Sequence, residues 1–428
     1  MSEPRLDSTS KSANETAGGG DCDCSRFEKP GGLMPVAKAL ELLLCAAKPV
    51  TDTESIPLSQ ALDRVLAKTI HSPIAVPPAD NSAMDGYALN TEDTGSAAAT
   101  LPISQRIPAG HAPKQLKPGT AARIFTGAPV PLGANAVVMQ EQCVATEGLV
   151  TLPADIRPGQ NVRPAGQDIQ PGALALEAGQ RLRGQELGFL ASLGVSQVEV
   201  FRKLKIAVIS TGDELVEPGT ALAAGKIYNS NRYTLMGLIQ RLGMDYIDCG
   251  VVPDDRQATI EAFSAAAKTA DVVITSGGVS VGEEDHVKAV VEQLGRLDMW
   301  KLCIKPGKPL SFGEINGTPF LGLPGNPAAV LVTFCVLGTS YLRKLSGENV
   351  KPPAARKMIA DFEWLKAGKR QEYLRARIGE KGIESYPNQS SGMLSSACWA
   401  DGLAVVPVDS TVAKGDMVEF YSFADLLG

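Results

Sequence analysis

The chain is poor in histidine, with three in 428 residues. So few histidines leave little material for a zinc centre or for a nucleophile that a histidine base activates. The pair Cys22 and Cys24 has neither a second cysteine pair nor a histidine nearby, so we do not expect it to bind a metal. It lies in a polar segment rich in Gly and Ser, and residues 1–32 are predicted to be a disordered leader.

The sequence also lacks a basic stripe and a long apolar run. The net charge is −6, and Lys and Arg are dispersed along the chain, so nucleic acid is a poor candidate partner. We expect no membrane span, because the apolar stretch at 36–47 is interrupted by Lys38 and Glu41. The N-terminal residues contain no apolar segment of the kind found in secretion signals, so a cytoplasmic protein is expected.

The pattern of apolar residues along the chain predicts a multidomain fold that combines an α/β domain with β-rich parts. Strand-like and helix-like segments alternate over residues 204–350, which is typical of a mostly parallel sheet with crossover helices. Asn316 and Gly317 mark a hairpin there, and so an antiparallel element. Residues 76–165, punctuated by prolines, are predicted to form an inserted β-rich domain. Residues 351–428 alternate polar and apolar positions and are predicted to form a small β-barrel-like domain.

The inserted β-rich domain interrupts a part with helical periodicity. In residues 33–75 apolar residues recur at helical spacing, with a second such stretch near 58–66. Residues 166–203 return to this pattern, most clearly over 184–193. We therefore predict a discontinuous helical or linker domain made of 33–75 and 166–203.

A glycine loop followed by acids is the most informative local feature. Residues 272–275 are β-branched and suit a buried strand. The glycines in 276–282 permit left-handed backbone angles, so that N–H groups converge on an anion. The acids at 283–285 would repel that anion unless a metal ion lay between them. The loop indicates a phosphate or oxyanion site with Mg²⁺, although an ordinary strand-to-helix turn carries the same glycines.

Other loops should lie beside this one, because ligands in an open α/β sheet bind at the carboxyl ends of the strands. A predicted strand ends in Ser-Thr-Gly-Asp-Glu at 210–214, and the next ends near Asp254. Lys-Pro-Gly-Lys-Pro at 305–309 and Gly-Leu-Pro-Gly-Asn-Pro at 322–327 each follow a strand-like run. Glycine N–H groups and lysines suit phosphates, and carboxylates suit Mg²⁺. The ordinary alternatives are lysines on a solvated face and acids that cap helices.

Six short motifs follow one another along the chain: Asn-Ser-Ala-Met-Asp-Gly-Tyr-Ala at 81–88, Thr-Gly-Ala-Pro at 126–129, Ser-Thr-Gly-Asp-Glu at 210–214, Ser-Gly-Gly-Val-Ser-Val-Gly at 276–282, Lys-Pro-Gly-Lys-Pro at 305–309 and Gly-Leu-Pro-Gly-Asn-Pro at 322–327. They occur in the order found in molybdopterin molybdenumtransferases, and residues 33–428 resemble that family. Six collinear motifs are far more specific than any one of them. The gephyrin C-terminal domain looks like another member.

The resemblance implies the last step of molybdenum cofactor biosynthesis. Adenylylated molybdopterin and molybdate would be the substrates, AMP would be released, and molybdenum would be left on the dithiolene of the pterin. The resemblance further implies Mg²⁺ as cofactor and an elongated homodimer whose active cleft is shared between subunits. Candidate partners are the molybdopterin adenylyltransferase and the enzymes that receive the cofactor.

The resemblance also implies site residues at the matching positions. The implied catalytic residues are Asp85, Thr126, Asp168, Glu214, Asp254, Asp285, Lys301 and Lys305. Among them, Glu214, Asp254 and Asp285 would hold Mg²⁺, and the two lysines would bind pyrophosphate or molybdate. Asp85, Thr126 and Asp168 would reach the cleft from the partner subunit. The implied substrate-binding residues are Thr211, Gly212, Ser276, Gly277, Gly278, Ser280, Lys308, Pro324, Asn326, Pro327, Ser395 and Ser396.

Two other functions stay open at this point. A nucleotidyltransferase or pyrophosphatase could be built on the same α/β domain, but it leaves the residues outside 204–345 unexplained. A non-enzymatic scaffold could use the dimer to bind partners, but it would not need Glu214, Asp285 and the lysines together. We expect no covalent protein nucleophile, because no Cys or Ser is placed with a histidine base; an oxygen of molybdate could itself attack.

Overall fold

The structure is a computed structural model that describes residues 32–278 and 286–428. The elements before the central sheet are α1 (Val36–Ala46), β1 (Thr53–Pro57), β2 (Ile70–His71), β3 (Asn81–Ser82), β4 (Gly86–Leu89), β5 (Ala99–Ile107), β6 (Ala121–Ile124), β7 (Ala136–Met139), β8 (Val144–Thr146), β9 (Leu149–Leu152), β10 (Val162–Arg163), β11 (Leu174–Leu176), α2 (Gly184–Ser192) and β12 (Gln197–Phe201). One-turn 3₁₀-helices lie at Leu58–Gln60, Thr91–Asp93 and Gln140–Gln142.

The central part and the C-terminal part follow along the chain. The central elements are β13 (Lys205–Thr211), β14 (Leu215–Val216), β15 (Ile227–Tyr228), α3 (Ser230–Arg241), β16 (Asp245–Val252), α4 (Arg256–Thr269), β17 (Val272–Ser276), α5 (His286–Leu294), β18 (Gly295–Lys301), β19 (Ile304–Lys305), β20 (Pro309–Ile315), β21 (Thr318–Leu323), α6 (Pro327–Thr333) and α7 (Thr339–Leu345), with a π-helical segment Phe334–Gly338 between the last two. The C-terminal elements are β22 (Arg356–Ile359), β23 (Gln371–Ile378), β24 (Ile383–Ser385), α8 (Ser395–Trp399), β25 (Gly402–Val406), β26 (Met417–Ser422) and α9 (Phe423–Leu427).

The central sheet is mostly parallel, as predicted. Its strand order is β16-β13-β17-β21-β20-β18. The first four strands pair in parallel, whereas β20 pairs antiparallel with β21 and with β18. The turn between β20 and β21 is formed by Asn316 and Gly317, with φ angles of 50° and 84°. Such left-handed angles are what a tight hairpin turn requires, so the predicted hairpin is confirmed.

Helices cover both faces of this sheet. Alternate residues of β13 point to opposite sides: Ile206 and Val208 enter one core, and Ala207 and Ile209 enter the other. The first core includes residues of α1, α3, α6 and α7, and the second includes residues of α4 and α5. Burial on both faces explains the continuous apolar runs of the central strands.

The residues predicted to form the inserted β-rich domain contain a six-stranded sheet of order β7-β4-β6-β5-β9-β8. Its neighbouring strands are antiparallel, except that β5 and β6 are parallel. Two small hydrophobic clusters fill its two faces. Short strands with proline-containing connections thus build a sheet separate from the central one.

The predicted helical character of residues 33–75 and 166–203 is wrong in part. Helices α1 and α2 are present, but the second stretch forms only the single turn Leu58–Gln60. The residues before it form β1, which pairs antiparallel with β12, and β2 pairs with β11. Pro57 lacks a backbone N–H, and Asp63 has a φ of 60°, so an α-helix does not run through this stretch.

The C-terminal part is built on a third six-stranded sheet. Its strand order is β19-β23-β25-β26-β22, and β24 pairs with the C-terminal end of β23, from Ala376 to Ile378. The prediction of β structure is confirmed, although the short helices α8 and α9 were not predicted. Strand β19 belongs in sequence to the central part and pairs in parallel with β23. The Lys-Pro-Gly-Lys-Pro loop is thereby attached to the C-terminal sheet.

One helical stretch in the described part of the chain, Pro327–Leu345, is long and apolar enough to cross a membrane by length and composition alone. The apolar stretch at 36–47 does not meet these conditions, since its helix α1 is only 11 residues long. However, 83% of the most apolar window of Pro327–Leu345 is buried inside the protein. Its residues form part of the core on one face of the central sheet.

The placement of α1 in the central core gives a stability prediction. Leu43 is fully buried there, so Leu43→Ala should lower the free energy of unfolding by about 2–5 kcal/mol through lost packing and a residual cavity. Leu62 is 55% exposed, so Leu62→Ala should change it by no more than about 0.5 kcal/mol. Urea unfolding followed by circular dichroism measures both. Equal losses in the two variants would contradict the packing of α1 in this core.

Candidate functional site

A cleft of about 310 Å³ opens at the carboxyl edge of the central sheet. It is lined by the loops that follow β13, β16, β17 and β21, together with the start of α3. Ligands of open α/β sheets bind in this position. The convergence of these loops, predicted from the sequence, is therefore present in the structure.

Many of the predicted residues line this cleft. They are Thr211, Gly212, Glu214, Asp254, Ser276, Gly277, Gly278, Asn326 and Pro327. Pro324 lies just behind it, where a Cβ on Gly307 would come 3.6 Å from its Cγ atom. Ser280 and Asp285 lie outside the described residues. The remaining predicted residues are placed elsewhere in the protomer.

Two glycines of the cleft have backbone angles that other residues rarely adopt. Gly212 and Gly278 have φ angles of 134° and 65°. A Cβ on Gly278 would lie 2.4 Å from Val287 Cγ2, and one on Gly212 would lie 2.3 Å from Glu214 Oε2. The sequence therefore needs glycine at both places, and the backbone is left uncovered for close approach by a ligand.

Two carboxylates face this glycine surface. Glu214 and Asp254 are both exposed and both line the cleft. The loops that carry them are joined by reciprocal hydrogen bonds, in which the N–H groups of Asp213 and Asp254 each donate to the other's carboxylate at 3.2 Å. Helix capping, the alternative role for Asp254, is performed by Asp255, which accepts from Ala258 N at 2.8 Å.

The two cleft acids are too few to form a metal site by themselves. Over residues 32–278 and 286–428, no three His, Cys, Asp or Glu side chains come together as a metal-binding group. The third predicted ligand, Asp285, falls in the gap between these ranges. Mg²⁺ is commonly held by one or two carboxylates, with waters and substrate phosphates as the other ligands. Glu214 and Asp254 therefore suit Mg²⁺ as a pair that a phosphate would complete.

A second group of predicted residues lies outside the cleft of the same protomer. Asp85 accepts two hydrogen bonds of 2.7 Å from Thr126, one from its backbone N–H and one from its hydroxyl. These bonds, the backbone one foremost, hold the pKa of Asp85 below its ordinary value, so it stays ionised at neutral pH. Asp168 is exposed, and its backbone N–H donates to Val76 O at 2.9 Å.

The predicted lysines are also outside the cleft. Lys301 ends β18 and is exposed, and Lys308 is exposed in the loop before β20. The Lys305 ammonium lies 3.1 Å from the buried carboxylate of Glu372 and 5.9 Å from the ring centroid of Trp364. In this structure Lys305 is thus paired with the C-terminal sheet.

Arg375 is a functional candidate that the sequence prediction missed. Its side chain is fully buried, and its Nη1 atom has no hydrogen-bond partner among the residues that the structure describes. Nε donates to Ser396 Oγ at 2.9 Å and Nη2 to Ser390 O at 3.0 Å. Burial lowers its pKa to about 10, which still leaves it charged at neutral pH. A buried cation without a carboxylate partner is costly, so this position favours an anion.

The two predicted serines near Arg375 differ in their surroundings. Ser396 is fully buried and its hydroxyl also donates to Met393 O, which argues against a substrate contact for Ser396. Ser395 is exposed and stays a prediction. The loop next to Arg375 is tied to the cleft region, because Ala328 N, at the start of α6, donates to Ser391 O at 2.9 Å. The sequence signal for Arg375 was a charge within an alternating strand pattern.

Three family models match the chain along its length. The MoeA N-terminal region (domain I and II) matches residues 34–194. A probable molybdopterin binding domain matches residues 207–344. The MoeA C-terminal region (domain IV) matches residues 357–423. The three matches follow one another in the order of the three sheet-containing parts of the structure.

Curated relatives and solved structures agree with these models. A molybdopterin molybdenumtransferase of Haemophilus influenzae is 42% identical over 387 residues, which covers 88% of this chain and 96% of the relative. One of Nostoc sp. is 39% identical over 375 residues, covering 84% and 86%. The molybdopterin biosynthesis moeA protein of Pyrococcus horikoshii OT3 is similar in structure, with a TM-score of 0.80, 31% identity and coverage of 91% and 100%. The chain therefore belongs to the molybdopterin molybdenumtransferase family.

Proposed function

We propose that this protein transfers molybdenum from molybdate to adenylylated molybdopterin and releases AMP, the final step of molybdenum cofactor biosynthesis. The observation that carries the proposal is the cleft in which the glycine loops of a parallel sheet meet Glu214 and Asp254, in a member of this family. Its direct test is AMP release from adenylylated molybdopterin with molybdate and Mg²⁺. A folded wild-type protein that released no AMP would overturn the proposal.

The phosphates of the substrate would lie against the glycine surface of the cleft. The N-terminus of α3 lines the cleft through Ser230, and the positive end of a helix dipole favours an anion. Glu214 and Asp254 would hold Mg²⁺, which neutralises the charge that develops on phosphates when a phosphoanhydride bond breaks. We also propose Asp285 as the third protein ligand of Mg²⁺.

Molybdate is a tetrahedral dianion and needs cationic partners. Arg375 supplies a fixed charge with an unpartnered N–H, and a guanidinium suits oxyanions well. Lys301, at the end of β18, and Lys308, in the loop between β19 and β20, are exposed cations. Lys305 contacts the C-terminal sheet through Glu372. We propose that these four groups bind the oxyanion, with Arg375 as the anchor.

We further propose that the active cleft is shared in a homodimer. Asp85, Thr126 and Asp168 are outside the cleft of their own protomer, so a catalytic role for them needs a second subunit. Contact with the molybdopterin adenylyltransferase would deliver the adenylylated substrate, and contact with receiving enzymes would take up the product. A cytoplasmic location agrees with these proposed partners.

Removing either cleft carboxylate should slow AMP release. Glu214→Gln and Asp254→Asn should each cost at least tenfold in rate, about 1.4 kcal/mol, and should raise the Mg²⁺ concentration for half-maximal rate. Asp255→Asn is the matched control, because it removes a neighbouring carboxylate while the asparagine still caps the helix. Steady-state AMP release at varied Mg²⁺ measures all three. An unchanged Mg²⁺ requirement in both cleft variants would refute the metal role.

A shared cleft predicts complementation between inactive variants. Asp85→Ala and Asp254→Ala should each be inactive alone, whereas subunits mixed one to one should regain about a quarter of the wild-type rate. Half of the dimers are then mixed, and each mixed dimer has one intact cleft of two. Two different Asp254 variants mixed together serve as the control and should stay inactive. Failure of the first mixture to recover activity, after subunit exchange is verified, would contradict the shared cleft.

The proposed role of Arg375 in binding molybdate can be tested separately from its effect on the stability of the protein. Arg375→Met should raise the molybdate concentration for half-maximal rate at least tenfold, about 1.4 kcal/mol of lost binding. The unfolding midpoint should not fall, because an apolar side chain replaces a buried unpaired charge. Arg377→Met is the control on the same strand, since Arg377 is exposed and paired with Glu384 at 2.7 Å. Equal molybdate dependence in both variants would exclude Arg375 from the oxyanion site.

A further inference from the structure

The pair formed by Asp85 and Thr126 lies beyond the end of two paired strands. Asp85 directly precedes β4, and Thr126 follows the end of β6 by two residues. The strands are antiparallel, with Gly86 opposite Ile124. The two hydrogen bonds of 2.7 Å from Thr126 to Asp85 therefore join the chain segments at this end of the sheet. The position of the Asp85 carboxylate depends on how both segments are held.

The Arg123 side chain holds the segment that carries Asp85. Its Nη1 atom donates at 2.9 Å to the backbone oxygen of Gly86, the residue after Asp85, and its Nη2 atom donates to Gln140 Oε1. The backbone N–H of Gln140 in turn donates to Asp85 O at 3.0 Å. One planar guanidinium thus binds the carbonyl after Asp85 and also the residue that binds the carbonyl of Asp85 itself.

Two aromatic rings fix the guanidinium in this position. The Cζ atom of Arg123 lies 4.6 Å from the ring centroid of Phe125 and 5.2 Å from that of Tyr87. A cation over an aromatic face is attracted to it, more strongly where water is partly excluded. Phe125 directly precedes Thr126 in the chain. Arg123 therefore contacts the segments on both sides of the Asp85–Thr126 pair.

The charge of Arg123 also acts on Asp85 through space. The two hydrogen bonds from Thr126 are the larger causes that hold the pKa of Asp85 below its ordinary value, and the positive charge of Arg123 lowers it further. An ionised Asp85 accepts both hydrogen bonds from Thr126. The same side chain thus supports the pair by geometry and by charge.

Arg106 is a natural comparison for Arg123. It lies opposite Arg123 in the pairing of β5 with β6, and its Cζ atom is 4.5 Å from the same Phe125 ring. Arg106 is exposed. In the part of the chain that the structure describes, no hydrogen bond joins its side chain to the segments of Asp85 or Thr126. It shares the ring with Arg123 but not the hold on the pair.

We propose that Arg123 is a positioning residue that holds Asp85 and Thr126 in the arrangement that the shared cleft requires. The assignment rests on the proposed function, in which this pair acts in the cleft of a second subunit. Direct binding of a substrate phosphate by Arg123 is disfavoured, because its two terminal nitrogens already donate hydrogen bonds within the protein.

Chemical rescue tests this role. Arg123→Ala should slow AMP release about tenfold or more, because a misplaced group costs rate even when it is present. The rings of Tyr87 and Phe125 and the two acceptors remain in this variant, so millimolar guanidinium chloride should occupy the vacated site and restore most of the lost rate. Sodium chloride at the same concentration should not. A loss of rate that guanidinium leaves unchanged would assign Arg123 a merely structural role and would overturn the proposal.

Two further variants are the controls for rescue. Arg106→Ala should keep the wild-type rate to within about twofold and should not respond to guanidinium. In the double variant Arg123→Ala with Asp85→Ala, guanidinium should restore nothing, since the group to be positioned is gone. Recovery of the double variant would contradict an action through Asp85.

Arg123→Lys decides the matter if the alanine variant does not fold. Lysine keeps the positive charge, but its single ammonium cannot reproduce the planar fork that reaches both Gly86 and Gln140. We expect a folded protein that releases AMP about tenfold more slowly than wild type. A wild-type rate in Arg123→Lys would overturn the positioning role.

Amide hydrogen exchange measures the positioning without catalysis. In Arg123→Ala the Thr126 N–H, which donates to Asp85, should exchange about tenfold faster, and guanidinium should slow it again. Unchanged exchange would overturn the proposal whatever the rates of AMP release. A wild-type protein that releases no AMP but shows guanidinium-dependent exchange would overturn the proposed function, whereas the hold of Arg123 on the pair would stand.

Discussion

The register of three parallel strands is the constraint on which the cleft depends. Ser276 at the end of β17 pairs with Ser210 on β13 and with Leu323 on β21. Because parallel strands end at the same edge, the loops after all three strands emerge side by side. A shift of one residue in either pairing would exchange the side chains that enter the two cores, so the packing of both cores fixes the register. The cleft is thus a consequence of core packing.

The half-exposed Lys305 and the buried Arg375 differ in how their positive charges are balanced. Lys305 has its counter-charge within the chain, because Glu372 lies opposite it in the β19–β23 pairing. Arg375 lies on β23, three residues after Glu372. Within the described part of the chain, its guanidinium has only hydroxyl and carbonyl partners, and its Nη1 has none. A fold that keeps such a charge buried gives up stability at that point. This imbalance is why we propose Arg375, rather than Lys305, as the anchor of the oxyanion.

Local sequence patterns predicted the elements that depend on local physics. Alternating segments gave the parallel sheet, and Asn316-Gly317 gave the hairpin, because turn geometry and apolar runs are encoded within a few residues. The pairing of β1 with β12 joins residues about 140 positions apart, so periodicity around residue 58 could not reveal it. Arg375 was missed for a similar reason, since burial of a charged residue depends on distant partners such as Ser396. The resemblance supplied the identity of the cleft residues, and geometry alone separated those that line it from those that do not.

Helix α6 connects the two proposed binding regions. Before it, Gly325 O accepts from Asn231 at 2.7 Å, and both residues line the cleft. At its first turn, Ala328 N donates to Ser391 O, in the loop whose Ser390 carbonyl accepts from Arg375. Gly307 packs against the same helix, where a Cβ would come 2.5 Å from Thr333 Oγ1. Catalysis by positioning requires reacting groups to be held at a fixed separation. One short and largely buried helix joins the two proposed regions here, because the cleft and the loop beside Arg375 are both hydrogen-bonded to it or to its flanking residues.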